Sequence, residues 1–130
     1  MRRSVRRLSS LSGFLAVGMG ILMLASAIAV AAEPLSGDQI RELVAGNTVQ
    51  GSMQSMGPYT EYYQADGTIK GKDYTGKWTI EGNTMCFVYK AEDPKECWGV
   101  SVANGEVSWI NAKGAVDGTG TVLKGNPNNF

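Results

Sequence analysis

The sequence predicts a mainly β fold: an antiparallel meander of seven or eight strands rolled into a small barrel, with one short N-terminal helix. A two-sheet sandwich is the alternative. Three observations carry the prediction. Two-residue turn signals recur at Asp66-Gly67, Gly82-Asn83 and Asn104-Gly105, separated by apolar, aromatic and β-branched stretches. The registers that the last two turns impose gather the apolar residues on one face. Two cysteines, Cys86 and Cys97, join those hairpins without breaking the phase.

The chain does not begin as a barrel. Arg2, Arg3, Arg6 and Arg7 precede an apolar run over 13–30, which closes on the small residues Ala29, Val30, Ala31 and Ala32. A basic region, an apolar stretch and a small-residue site, in that order, make a secretory signal peptide of residues 1–32, cut after Ala31 or Ala32. Residues 33–130 are then the single folded domain. An uncleaved anchor is the alternative, although the run falls short of the ~20 apolar residues that span a bilayer. Leu8-Ser9-Ser10 after Arg6-Arg7 argues against a twin-arginine route. Losing four arginines leaves 8 bases against 12 acids, a net charge of −4. A mildly acidic domain lacks the basic footprint that nucleic acid or an anionic membrane requires. The expected location is periplasmic or secreted, with no membrane span after cleavage.

Within the domain, Ser36 opens a helix signal, followed by Asp38 and Gln39 and by Leu35, Ile40, Leu43 and Val44 at helical spacing. Gly46-Asn47 stops it, so the helix covers about 36–45. Gly82-Asn83 then pairs Ile80 with Met85, Trp78 with Phe87, and Gly76 with Tyr89. Asn104-Gly105 pairs Val102 with Val107, Val100 with Trp109, and Trp98 with Asn111. The inner face so defined holds the core aromatics Trp78, Phe87, Tyr89, Trp98 and Trp109. The other face carries Lys77, Thr79, Ser101, Glu106 and Ser108 together with both cysteines. Taken as a two-residue turn, Asp66-Gly67 sets Tyr63, Glu61 and Tyr59 opposite Lys70, Lys72 and Tyr74. That register makes Glu61 and Lys72 a surface pair and leaves Tyr62 and Ile69 on the other side. Strands near 48–54 and 116–124 complete the set.

In an oxidising compartment Cys86 and Cys97 are expected to form a disulfide. Closing so short a loop stabilises by roughly 2–3 kcal/mol in the chain-entropy view. The chain has no Cys-x-x-Cys and no histidine. Ser-His-Asp and Cys-His catalysis and histidine-ligated metal sites are thereby ruled out. No catalytic residue, metal or cofactor is expected. A carboxylate couple such as Glu61 and Asp73 is the available acid–base alternative. The segment Asp117-Gly118-Thr119-Gly120-Thr121 reads as a glycine-softened strand and not a phosphate loop, because no helix follows it. The acidic stretch 92–96 reads as a solvated hairpin tip, with Ca²⁺ or a basic partner as its functional alternative. Tyr59, Tyr62 and Tyr63 are the candidate ligand-binding residues, placed to edge a barrel mouth and contact a sugar or lipid.

Gly76-Lys77-Trp78 resembles the Gly-x-Trp of lipocalins and avidins, where it stands on the first strand; here it stands in mid-chain, and what it implies is a barrel. A second pattern runs Leu35-x-Gly37-x-x-Ile40-x-x-Leu43-x-x-Gly46-Asn47-Thr48, then Tyr63, Asp66-Gly67, Gly76-x-Trp78, Cys86, Cys97 and Gly125-Asn126-Pro127. It resembles small secreted alphaproteobacterial β-rich domains of undefined activity. That resemblance implies an address and a β-rich fold and carries no catalytic residues. The expected function is an exported, non-enzymatic binding module, inhibitor-like, for a protein partner or a small envelope ligand. A carboxylate-dependent hydrolase or isomerase and an envelope structural or stress protein are the alternatives. Inward tryptophans favour action through the surface, whereas an open pocket edged by the tyrosines would favour a small ligand.

Overall fold

The structure, a computed structural model, describes residues 32–130. The expected signal peptide lies outside the described residues apart from Ala32.

Helix α1 (Gly37–Val44) begins where Ser36 caps it. The Ser36 hydroxyl accepts from the Gln39 N–H at 3.3 Å, and the Ser36 N–H donates to Gln39 Oε1 at 2.9 Å. These reciprocal bonds satisfy two otherwise orphaned donors of the first turn. Ile40 and Val44, four apart on one face, are fully buried. Gly46, at φ +77°, turns the chain out of the helix, and its N–H donates to the Tyr63 carbonyl at 2.7 Å.

Eight strands follow: β1 (Asn47–Met53), β2 (Gly57–Tyr63), β3 (Thr68–Lys70), β4 (Thr75–Glu81), β5 (Thr84–Val88), β6 (Glu96–Ala103), β7 (Glu106–Ile110) and β8 (Val116–Leu123). Each pairs antiparallel with the next, and β8 pairs back onto β1, so the sheet closes as a barrel and the sandwich alternative is set aside. Closure gives every strand a neighbour on both sides, although β2 meets β3 only at Tyr62–Lys70 and Tyr63–Ile69, so that residues 57–61 have no ladder partner there among the described residues.

The β4–β5 and β6–β7 registers are those the turns impose, with Trp78 opposite Phe87, Ile80 opposite Met85, Val100 opposite Trp109 and Val102 opposite Val107. The Cys86–Cys97 disulfide joins directly opposed residues of β5 and β6. It lies on the outside of the barrel, where Lys95 and Glu81 form an ion pair beside it.

The first hairpin differs from the sequence-based expectation. Tyr63 opposes Ile69, and Tyr62 opposes Lys70, a slip of one residue. The connection is a three-residue loop: the Gly67 N–H donates to the Gln64 carbonyl at 3.0 Å, Gly67 sits at φ +93°, and the Gln64 N–H donates to the Thr68 carbonyl at 2.8 Å. A type I turn followed by one left-handed residue has this pattern. Asp66 supports it by accepting the Thr68 N–H at 2.9 Å, a bond that holds its carboxyl below the usual range. Because strand side chains alternate, a slip of one residue changes which neighbours Tyr59, Glu61 and Tyr63 meet. β3 also ends at Lys70, so Lys72 never pairs with Glu61, and Glu61 is buried rather than at the surface.

The core fills the helix-side half of the barrel with Ile40, Val44, Val49, Ile69, Met85, Val100 and Val107, each fully buried. The Arg41 guanidinium lies 5.4 Å over the Trp78 ring, and the Trp78 N–H donates to the Gln64 carbonyl at 2.9 Å. The Gly37 N–H donates to Asn83 Oδ1 at 3.0 Å, which ties the helix start to the β4–β5 turn. The β2–β3, β4–β5 and β6–β7 turns share that end, and α1 covers it. The β1–β2, β3–β4, β5–β6 and β7–β8 connections frame the other end.

Candidate functional site

β2 builds the centre of the site. Its inward residues, Tyr59, Glu61 and Tyr63, run from the open end toward the helix end. Glu61 is 4% exposed, and its carboxylate accepts three phenolic hydrogen bonds. Tyr63 donates to Oε2 at 2.7 Å, and Tyr74 and Tyr89 donate to Oε1 at 2.8 and 2.9 Å. These donors come from three places: the deep end of β2, the β3–β4 connection, and the residue just past β5. Tyr74 reaches Glu61 because its ring lies directly over Gly71, where a side chain would occupy the same space.

Tyr59 is held on the adjoining wall. It accepts the Trp109 indole N–H at 2.7 Å and donates to the Thr119 carbonyl at 3.2 Å. Its hydroxyl fits because Gly120 has no side chain: a Cβ there would sit 2.5 Å from it. The glycines of 117–121 therefore serve a packing purpose within β8. Asp117, at the head of that strand, fixes the edge of the next wall residue, accepting the Trp98 indole N–H at 3.1 Å and the Asn111 amide at 2.8 Å.

These side chains surround a cavity of about 360 Å³ that opens between the β1–β2, β3–β4 and β5–β6 connections. Its walls are Tyr59, Tyr63, Tyr74, Tyr89, Phe87, Trp98 and Trp109, with Glu61 as the buried acid. Met53 and Met56 add soft, adaptable surface, and Lys90 stands among the lining residues at the rim. Phe87 is the aromatic hub, its ring centre 5.5 Å from Trp98, 5.6 Å from Trp109 and 6.2 Å from Tyr63, each contact edge-to-face. The volume is at the small end of the ~300–1,000 Å³ common for ligand pockets.

The site's electrostatics follow from burial. Burial pushes the Tyr59 phenol up to about 12, against the opposing pull of the Trp109 N–H and with Glu61 adding to the rise. Burial first and Glu61 second also raise Tyr63, Tyr74 and Tyr89. All four phenols thus keep their protons at neutral pH and act as donors. A carboxylate has about four lone-pair positions, and three are taken here. Among the described residues, no lysine or arginine forms an ion pair with Glu61.

Of the candidate ligand residues, Tyr59 and Tyr63 line the cavity. Tyr62 stands on the other face of β2, opposite Thr48 and Lys70, and does not line it. Of the core aromatics, Trp78 is buried at the helix side, whereas Phe87, Tyr89, Trp98 and Trp109 wall the cavity. Asp73 is exposed in the β3–β4 connection and does not line the cavity with Glu61. Sequence reasoning missed Tyr74 as a site residue and missed Glu61 as the buried acid at the centre of the site. The alternation Tyr59-x-Glu61-x-Tyr63 does carry the signal that the acid shares a face with two aromatics.

Glu81, Cys86 and Cys97 bring a carboxylate and two sulfurs within 4.8 Å of one another. With both sulfurs joined in a disulfide, that group has no thiolate to offer a metal. The residues 92–96 form an exposed tip apart from half-buried Asp93. Comparison of the chain with protein-family models, with curated proteins and with solved structures gave no match. The functional reading therefore rests on the geometry of the cavity.

Proposed function

We propose that the protein is an exported, non-enzymatic binding module that takes a small, largely apolar ligand into the open end of its barrel. One observation carries the reading: an aromatic cavity of about 360 Å³ with a buried acid, Glu61, held by three phenols. Burying a carboxylate costs several kcal/mol unless it is well hydrogen-bonded, and a leucine would fill the same space without that cost. A polar group kept in an otherwise apolar hollow is the usual means of orienting a bound molecule. Export is supported by the basic-then-apolar N-terminus and by the disulfide, which persists in an oxidising compartment. Among the described residues no helix is long and apolar enough to cross a membrane.

The test is a titration of the exported, processed chain with a neutral naphthyl dye. Saturable binding near one dye per chain, with quenching of Trp98 and Trp109 emission, is the expected result. Absence of any saturable dye binding, together with native mass spectra of the envelope-derived protein carrying no retained molecule, would overturn the proposal.

A further inference from the structure

We infer that the ligand is an amphiphile with a protonated amine, whose ammonium group sits against Glu61 while its apolar part lies between the aromatic walls. The inference rests on the cavity being a ligand site.

The cavity contains a carboxylate with no ion-pair partner among the described residues. Its three hydrogen bonds all come from phenols, which spread the charge by donation but do not neutralise it. Oε2 has one donor where Oε1 has two, and Glu61 lines the cavity, so the second position on Oε2 is the one a ligand donor would take. The surrounding groups are aromatic: Tyr74 and Tyr89 meet the carboxylate through their hydroxyls, and Phe87, Trp98 and Trp109 complete the wall. Aromatic faces carry negative quadrupole density and attract a cation, most of all where water is excluded. A carboxylate and an aromatic wall thus favour the same ligand charge. An anionic headgroup would meet repulsion from both. A neutral hydroxyl could fill the fourth position but would gain neither ion pairing nor cation–π attraction.

Among the described residues, Lys90 is the one basic residue that lines the cavity. It is exposed at the rim and forms no ion pair with Glu61, so a bound ammonium would displace no existing partner of the acid.

Three probes sharing one tail isolate the headgroup: n-octylammonium, n-octanol and n-octanoate, each titrated into the exported, processed protein by calorimetry and tryptophan fluorescence. The ammonium should bind about ten-fold or more tightly than the alcohol, and the octanoate weakest, as a charge-assisted bond and cation–π attraction require. Glu61→Gln should reduce the preference for ammonium over alcohol to about three-fold or less while alcohol binding persists. In the wild-type protein, nuclear Overhauser contacts should run from the α-methylene beside the nitrogen to the ring of Tyr63, whose hydroxyl shares Oε2 with the ligand; this measurement stands even where the variant does not fold. Equal or tighter binding of octanol, a preference that survives Glu61→Gln, or an α-methylene that contacts the rim instead would each overturn the inference and leave the apolar cavity intact. Failure of all three probes and of the naphthyl dye would instead overturn the binding proposal itself.

Discussion

Tyr63 and Glu61 lie two residues apart on one face of β2, and the Tyr63 hydroxyl donates to the Glu61 carboxylate at 2.7 Å in a fully buried setting. Tyr63→Phe removes this donor and leaves Oε2 buried without a partner. The expected loss is about 1–3 kcal/mol of unfolding free energy, the usual cost of a stranded buried polar atom. Tyr62→Phe, one residue away on the outer face, should stay within about 0.5 kcal/mol. Denaturant titration of the two variants side by side checks the contrast.

Alkaline pH should unfold the protein cooperatively. Tyr59, Tyr63, Tyr74 and Tyr89 all hold their protons more tightly folded than unfolded, because burial and Glu61 disfavour the phenolate. Below pH ~10 both states keep these protons and the contribution to stability is complete. Above it the unfolded chain ionises first, so stability falls as pH rises toward and past 12, the Tyr59 value. Between about pH 10 and 12, Tyr59, Tyr63 and Tyr89 should each add about 1.4 kcal/mol per pH unit to that slope, and above 12 Tyr59 ceases to contribute. Phenolate absorbance from these residues should appear together with loss of the far-ultraviolet β signal, not ahead of it.

Gly120→Ala tests the fit of the Tyr59 wall. The added methyl would sit 2.5 Å from the Tyr59 hydroxyl and 2.9 Å from Val49. Tyr59 must move, which breaks its bond from the Trp109 indole. A loss of about 1–3 kcal/mol, typical of overpacking, should accompany a shift in tryptophan emission and weaker dye binding. Unchanged emission with full stability would show that the wall is looser than the hydrogen bonds imply.

The disulfide should matter to stability and not to the cavity. Cys86 and Cys97 lie on the outside of β5 and β6, with the rings of Phe87 and Trp98 turned inward beside them. Cys86→Ser combined with Cys97→Ser should lower unfolding free energy by roughly 2–3 kcal/mol. Ligand affinity measured well below the new melting temperature should stay within about two-fold.

The hairpins around Gly82-Asn83 and Asn104-Gly105 were legible in the sequence because each turn is a two-residue signal with an unambiguous register, and the cysteines link them in phase. The helix was legible from Ser36 and the spacing of Ile40 and Val44. The centre of the site was not, for two local reasons. Asp66-Gly67 belongs to a three-residue loop, and the extra residue displaces the partners of β2 by one. β3 is three residues long, so the turn that follows it brings Tyr74 over Gly71 and onto Glu61. Neither a loop length nor a strand's early end has a strong compositional mark. A charged residue between two tyrosines reads by default as solvent-facing.

Among the described residues, α1 covers one end of the barrel and the aromatic cavity opens at the other. A ligand of the proposed kind would pass the loops that carry Met56, Tyr74 and Lys90, and its residence time would depend on them. Those loops lie away from the Ile40, Val44 and Trp78 contacts that hold the other end together. Substitutions around the doorway can therefore retune the speed of exchange, or the size of molecule admitted, while the machinery of folding is left largely undisturbed.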